Sequence, residues 1–298
     1  MILFWSDGGL GNQFFQYVFI KTLQQKNENV IIFGNGFKDI DDIFEKIEFT
    51  KIKYFSKIIS FCMNRIAKSF ICYLAYNNVI SYIFVKEEYI LSKKYQREGD
   101  TVSFKKGLFT NIKYIESNFF QSEIFFNKEI VGKIKLKQKF IIQAERFIQM
   151  IPVGANKIFV HIRRGDYENF KVCEKSVILP FAYFHSCIKY FLEVIENPYF
   201  IFLSDEINLI KTEFTYLENM IISENQHYGV DFAIMTLCNN AILSPSSFSW
   251  WGSYLMKNKD IILAPKYWMG FASRIEFQKN PLASYMKIVD VETFVIDK

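Results

Sequence analysis

The sequence predicts an α/β protein made of two halves, each a sheet of parallel strands flanked by helices. Three observations lead there. The chain has 298 residues and 50% of them are apolar, enough for two domains of about 150 residues each. Its start reads strand, glycine turn, helix, strand. From Ile158 to Ala264, short apolar strands alternate strictly with helical patterns, which is the signature of a doubly wound parallel sheet.

In chain order, Met1 to Trp5 is the first strand and Gly8-Gly9-Leu10-Gly11 the turn. A helical pattern follows over about Asn12 to Lys26, then a strand over Val30 to Gly34. Between Phe49 and Lys94, Ile58, Ile59, Phe61, Cys62, Ile66 and Phe70 recur with helical periodicity. Lys128 to Met150 reads as one helix, stopped near Pro152. In the second half, strands are expected at Ile158 to Ile162, Tyr199 to Leu203, Met220 to Ile222, Ala241 to Leu243 and Ile261 to Ala264. Helices are expected at Phe181 to Glu196, Glu206 to Tyr216, Asp231 to Cys238 and Phe248 to Met256. The halves divide near Pro152 to Asn156, giving domains 1–154 and 155–298.

Composition excludes several classes. At 22% charged residues the chain is no disordered polyampholyte. The five cysteines (Cys62, Cys72, Cys173, Cys187, Cys238) are odd in number and dispersed, with no Cys-x-x-Cys, which fits reduced thiols in a cytoplasmic protein. No metal-ligand spacing occurs, and Met1 to Asp7 lacks a signal-peptide pattern. Ser69 to Val85 and Phe232 to Met256 are uncharged, but asparagines interrupt the first and asparagines, serines and a proline the second, so buried core is expected rather than membrane spans. The 33 Phe and 17 Tyr do not interleave with Lys and Arg as in a nucleic-acid module, so no nucleic-acid partner is expected.

Four strings carry chemistry. His161-Ile162-Arg163-Arg164-Gly165-Asp166-Tyr167 lies at the carboxyl end of an expected strand, where a parallel sheet places its ligand. Arginine suits phosphate because its planar fork donates parallel charge-assisted hydrogen bonds. On an extended chain Arg163 and Arg164 point to opposite sides, so one can face a ligand while the other pairs with an acid such as Asp166; a plain basic surface turn is the alternative. Ser244-Pro245-Ser246-Ser247-Phe248-Ser249-Trp250-Trp251-Gly252 opens a helix, where hydroxyls and free N–H groups make an anion site or an ordinary N-cap. Leu203-Ser204-Asp205-Glu206 sits at another strand end, either for guanine or ribose or as a helix cap. Gly8-Gly9-Leu10-Gly11-Asn12-Gln13 resembles a dinucleotide turn, but Phe14 stands where its last glycine belongs. Asp39-Ile40-Asp41-Asp42 imitates a metal clamp at an unsuitable place, and His185 and His227 read as structural.

The strings Gly8 to Tyr17, His161 to Tyr167 and Ser246 to Gly252, in this order, resemble the α-1,2-fucosyltransferases of glycosyltransferase family 11 in their short bacterial form. The resemblance runs from residue 8 to about 265; residues 37–150 carry no matching motif. It implies a GT-B-like fold of two Rossmann-like α/β domains facing a cleft, with GDP-fucose on the second and the acceptor on the first. It implies inverting, metal-independent transfer of L-fucose to the 2-hydroxyl of a terminal galactose, in a β-galactoside glycan such as surface polysaccharide or O-antigen, free or lipid-linked. No cofactor is implied beyond the donor substrate. Carried over by position, the catalytic set is Arg163, Asp166 and Asn12. Donor contacts are Gly9, Gly11, His161, Arg163, Asp205, Asp231, Ser246, Ser247 and Phe248. No general base identifies itself among Glu168, Asp166 and Asp7. A fucosyltransferase of other linkage or acceptor, or a non-catalytic GDP-sugar- or glycan-binding protein, stand as alternatives.

One segment stays outside that reading. Phe49 to Lys86 holds six basic residues and no acid, while the whole chain carries +5. Either its helices pack on the core with a solvated basic face, or it is basic on one face and aromatic on the other and rests on the anionic inner leaflet of a membrane.

Overall fold

The computed structural model describes residues 1–34, 36–51, 57–90, 95–224 and 226–296, with backbone alone at 51, 57–64 and 90. The chain divides into two compact units, Met1–Lys135 and Leu136–Lys298.

The first unit runs β1 (Ile2–Ser6), α1 (Leu10–Leu23), β2 (Val30–Gly34), α2 (Lys38–Ile43), β3 (Thr50–Lys51), α3 (Lys57–Tyr76), β4 (Ile80–Ile90), β5 (Tyr95–Lys105), β6 (Phe109–Ile115) and α4 (Lys128–Val131). Its strands order β3-β2-β1-β6-β4-β5, parallel except for the antiparallel β4–β5 pair. Every residue of β1 is buried, as an unbroken apolar run between two layers requires. Much of the phenylalanine excess is spent here. Phe14, Phe15 and Phe19 of α1 are all buried, and Phe19 stacks on Phe120 with ring centres 3.9 Å apart.

The second unit runs α5 (Gln138–Ile148), β7 (Asn156–Ile162), β8 (Lys171–Val172), β9 (Lys175–Ser176), α6 (Phe181–Val194), β10 (Pro198–Ser204), α7 (Ile207–Glu213), β11 (Met220–Ile222), α8 (Tyr228–Thr236), β12 (Asn240–Ile242), α9 (Ser247–Tyr254), β13 (Ile261–Pro265) and β14 (Lys287–Val289). Setting aside the small β8–β9 hairpin, its strands order β11-β10-β7-β12-β13-β14 and are all parallel. That is the dinucleotide-fold order 3-2-1-4-5-6. The chain leaves β7 toward β10 and β11, then returns to β12 on the other side, so a switch point opens above the carboxyl ends of β7, β10 and β12.

Three expectations meet differences. The helix expected over Lys128 to Met150 is two helices, because α4 ends on Gly132, whose N–H bonds the Lys128 and Ile130 carbonyls. The unit boundary falls ahead of the 154/155 division because α5 packs against α8 of the second unit. The β4–β6 block, Ile80 to Ile115, was not expected from the periodicity at all. Among the described residues no helix is long and apolar enough to cross a membrane. Both uncharged stretches fold instead into the end of α3 with β4, and into α8, β12 and α9.

Candidate functional site

The arginine string leaves the switch point at the end of β7 and is fixed by partners from two other strand ends. Ser244, just past β12, accepts the Arg163 N–H at 3.0 Å and donates its own hydroxyl to the His161 carbonyl at 2.8 Å. Asp205, just past β10, accepts the Arg164 N–H at 3.0 Å and stands 3.3 Å from Arg163 Nη1. Arg163 Nε donates to Asp166 Oδ1 at 2.8 Å. The guanidinium is therefore clamped by two carboxylates, while Nη2 has no partner among the described residues and the side chain stays 36% exposed. Burial alone would lower its pKa; the hydrogen bond to Asp166 and the charges of Asp205 and Asp166 outweigh that and raise it.

This arrangement differs from the division of labour expected for the pair. Arg163, not its neighbour, takes the acids, and Arg164 lies over the Phe181 ring, 4.7 Å from its centre. Asp205 sets both oxygens against the arginine string. Gly165 makes the approach feasible, since a Cβ there would come 2.9 Å from Asp205 Oδ2.

His161 is buried on β7, with its ring 5.8 Å from Phe248. Burial, then the Arg163 charge, pushes the imidazole down to about 3, so the ring is neutral. Its Nδ1 is sealed from solvent without a partner among the described residues, which is costly unless a ligand supplies one. Phe248 in turn packs on Phe232 at 5.5 Å, tying α9 to α8. On α8, Asp231 accepts the Ser223 hydroxyl at 2.6 Å beyond the end of β11. Burial pushes its carboxyl up to about 6, against the Ser223 bond that lowers it.

The serine string caps α9. Ser246 Oγ accepts the Phe248 N–H, and Ser249 donates to the Ser244 and Ser246 carbonyls. The Ser247 hydroxyl makes no hydrogen bond among the described residues and stands at the first position of the helix, where the dipole favours an anion. Sequence reasoning missed Tyr167 as a tie between the two strings: it is half-buried and donates to the Pro245 carbonyl at 2.8 Å. It also missed Ser223, for which no local pattern exists.

Gly9, Gly11 and Asn12 belong to the first unit and are described there. Gly8, at φ +78°, makes the turn, and a Cβ on it would lie 2.6 Å from Asn12 Nδ2. Gly9 caps α1 with open space where a side chain would stand, and Gly11 is buried within α1. Asn12 Oδ1 accepts from Gln121 Nε2 at 2.6 Å. The Asp39 carboxylate of the metal-clamp imitation accepts from Gln13 Nε2 at 2.9 Å. Among the described residues no three His, Cys, Asp or Glu side chains are grouped to hold a metal ion. His185 is held by Tyr216 and Glu213 on the α6–α7 surface.

Comparison with known proteins places this geometry. Glycosyl transferase family 11 matches the chain over residues 5–286. The O-antigen biosynthesis glycosyltransferase WbnK of Escherichia coli is 25% identical, covering 88% of this chain and 93% of its own length. The alpha-1,2-colitosyltransferase of Escherichia coli is 26% identical, covering 88% and 90%. The galactoside 2-alpha-L-fucosyltransferase SEC1 of Bos taurus is 23% identical over 53% of this chain and 45% of its own length. In fold, the fucosyltransferase NodZ from Bradyrhizobium superposes with a TM-score of 0.50 at 12% identity, over 86% of this chain and 93% of that one. The chain belongs to glycosyl transferase family 11, and its two α/β units are those of a GT-B enzyme.

Proposed function

We propose that the protein transfers L-fucose from GDP-fucose to the 2-hydroxyl of a terminal galactose, with inversion and without a metal ion. One observation carries this reading: the Arg163 guanidinium is clamped at the switch point of the second unit with an edge left open, beside the N-terminus of α9. As the acceptor oxygen attacks C1 of fucose, the bond from C1 to the β-phosphate oxygen breaks and negative charge grows on departing GDP. A fixed guanidinium and a helix N-terminus meet that charge without reorganising, the task a divalent ion performs in other sites. Neutral His161, with an unpaired Nδ1, and Asp231 suit the guanine: a carboxylate accepts guanine N–H groups. The acceptor proton leaves after C1 already carries much positive charge, so weak base assistance serves. A surface polysaccharide is the acceptor class that the bacterial relatives' names suggest.

A second reading changes only the donor sugar, since the relative named for colitosyl transfer is as similar as the other bacterial one. Assay of GDP release and product linkage with lactose, N-acetyllactosamine and lacto-N-biose decides. Turnover of GDP-fucose in EDTA giving a 2-linked product supports the proposal. Turnover of GDP-colitose alone moves it to the second reading, another linkage corrects the regiochemistry, and GDP binding without turnover favours a non-catalytic protein.

A further inference from the structure

The first unit carries an apolar stripe that its own core does not use. On α3, Ala67, Ile71, Leu74 and Ala75 pack into the core beside Leu3, Trp5 and Tyr82. Ile66, Phe70 and Tyr73, spaced i, i+4 and i+7, share a neighbouring face of the same helix and are 63%, 60% and 62% exposed. A helix needs one such face to join a globular core; a second one open to water calls for a partner.

The stripe continues past the helix. Leu108 and Phe109 donate their N–H groups to the Asn78 and Val79 carbonyls at 2.9 and 2.8 Å, which docks the β5–β6 turn just beyond the end of α3. Gly107 permits this closeness, since a Cβ there would lie 2.2 Å from the Ile80 carbonyl carbon. With the turn held so, Leu108 is 77% exposed.

The charges around this surface are mostly of one sign. Arg65 and Lys68 lie exposed on α3, Lys105 at the end of β5 and Lys106 on the turn. Among the described residues, Glu116 accepts from the hydroxyl of Tyr76 at the end of α3. Phe49 to Lys86 contains no acid to balance Arg65 and Lys68. A second copy of the chain on a twofold axis would set these cations against themselves. An anionic lipid surface instead offers phosphate to the basic residues and an acyl boundary to Ile66, Phe70, Tyr73 and Leu108. Tyrosine, with an apolar ring and a polar tip, fits that boundary.

We propose that α3 and the β5–β6 turn dock the protein on an anionic lipid surface, with the helix lying in the interface. The proposal goes beyond the transfer reaction, and its test needs no turnover. The test is co-sedimentation of the full chain with vesicles of phosphatidylglycerol mixed with phosphatidylcholine, and with vesicles of phosphatidylcholine alone. Wild type is expected to bind the anionic vesicles at low salt and to be released by salt. Arg65→Gln with Lys68→Gln should weaken partitioning by about fivefold per charge removed. Phe70→Ser with Tyr73→Ser should weaken binding at every salt concentration. All these side chains are exposed, so folding is checked by unchanged thermal unfolding and GDP binding. No binding of wild type to anionic vesicles overturns the proposal, as does equal binding to phosphatidylcholine alone. A dimer that Phe70→Ser with Tyr73→Ser dissolves overturns it too, and assigns the stripe to a second copy.

Discussion

The carboxyl edges of the two sheets are furnished with different chemistry. In the second unit the groups that meet there are charged: Arg163 between Asp166 and Asp205, with the α9 N-terminus beside it. In the first unit they are mostly amides. Gln13 bonds the Gly8 carbonyl and Asp39, Gln16 bonds the Asn118 carbonyl, and Gln121 bonds Asn12. A charged edge suits a diphosphate, whereas an amide edge suits neutral hydroxyls. Each edge also holds a half-buried carboxyl that titrates high. Burial pushes Asp231 up to about 6 beside a serine hydroxyl, and Glu98 up to about 8, where it accepts the Phe120 N–H. The account expects ligand charge to be felt through the first carboxyl and not through the second.

The largest effect expected is from Arg163→Ala, which should lower kcat/KM by about 100- to 1,000-fold, measured by GDP release. Arg163→Lys should recover only part, because an ammonium cannot satisfy two carboxylates and still present an open edge. Asp205→Ala should follow, at about 2 kcal/mol in kcat/KM, since both the guanidinium and the Arg164 N–H lose a charged acceptor.

Asp231 gives a pH test. Its carboxyl titrates near 6 in the fold against 3.8 in the unfolded chain, so the folded state holds its proton more firmly. This group's contribution to stability therefore falls as pH rises from about 4 to 6. Guanine N–H groups favour the ionised form, so GDP affinity should move the other way, about tenfold weaker at pH 5 than at pH 7. Asp231→Asn should raise thermal stability at pH 7 and flatten that affinity profile. The smallest effect expected is from Glu98→Gln: GDP affinity within about twofold of wild type. Its stability gain should grow as pH rises toward 8, because ionising the half-buried Glu98 carboxyl opposes folding in that range. A large loss of GDP binding in Glu98→Gln would erase the contrast between the edges.

The second unit was the legible one. Each strand from β10 to β13 is short, apolar and bounded by turn residues, and the periodicity located all of them to within about two residues. The site strings were visible because strand ends place their side chains by topology, without long-range information. What stayed hidden was pairing. Asp205 and Ser223 find Arg163 and Asp231 through strand order, which a local pattern does not encode. The first unit hid more. β4 begins as an apolar run and then passes through Lys86-Glu87-Glu88, so neither strand alternation nor a buried run describes it whole. Its β4–β5 pair also departs from the parallel order of the rest.

Calorimetric titration of GDP into the wild-type protein and Arg163→Ala, both in EDTA, tests most directly whether the clamped arginine alone meets the diphosphate. The account predicts wild-type binding that EDTA leaves unchanged, and at least about tenfold weaker binding by Arg163→Ala. Wild-type binding that vanishes in EDTA, or equal binding by Arg163→Ala, would contradict it.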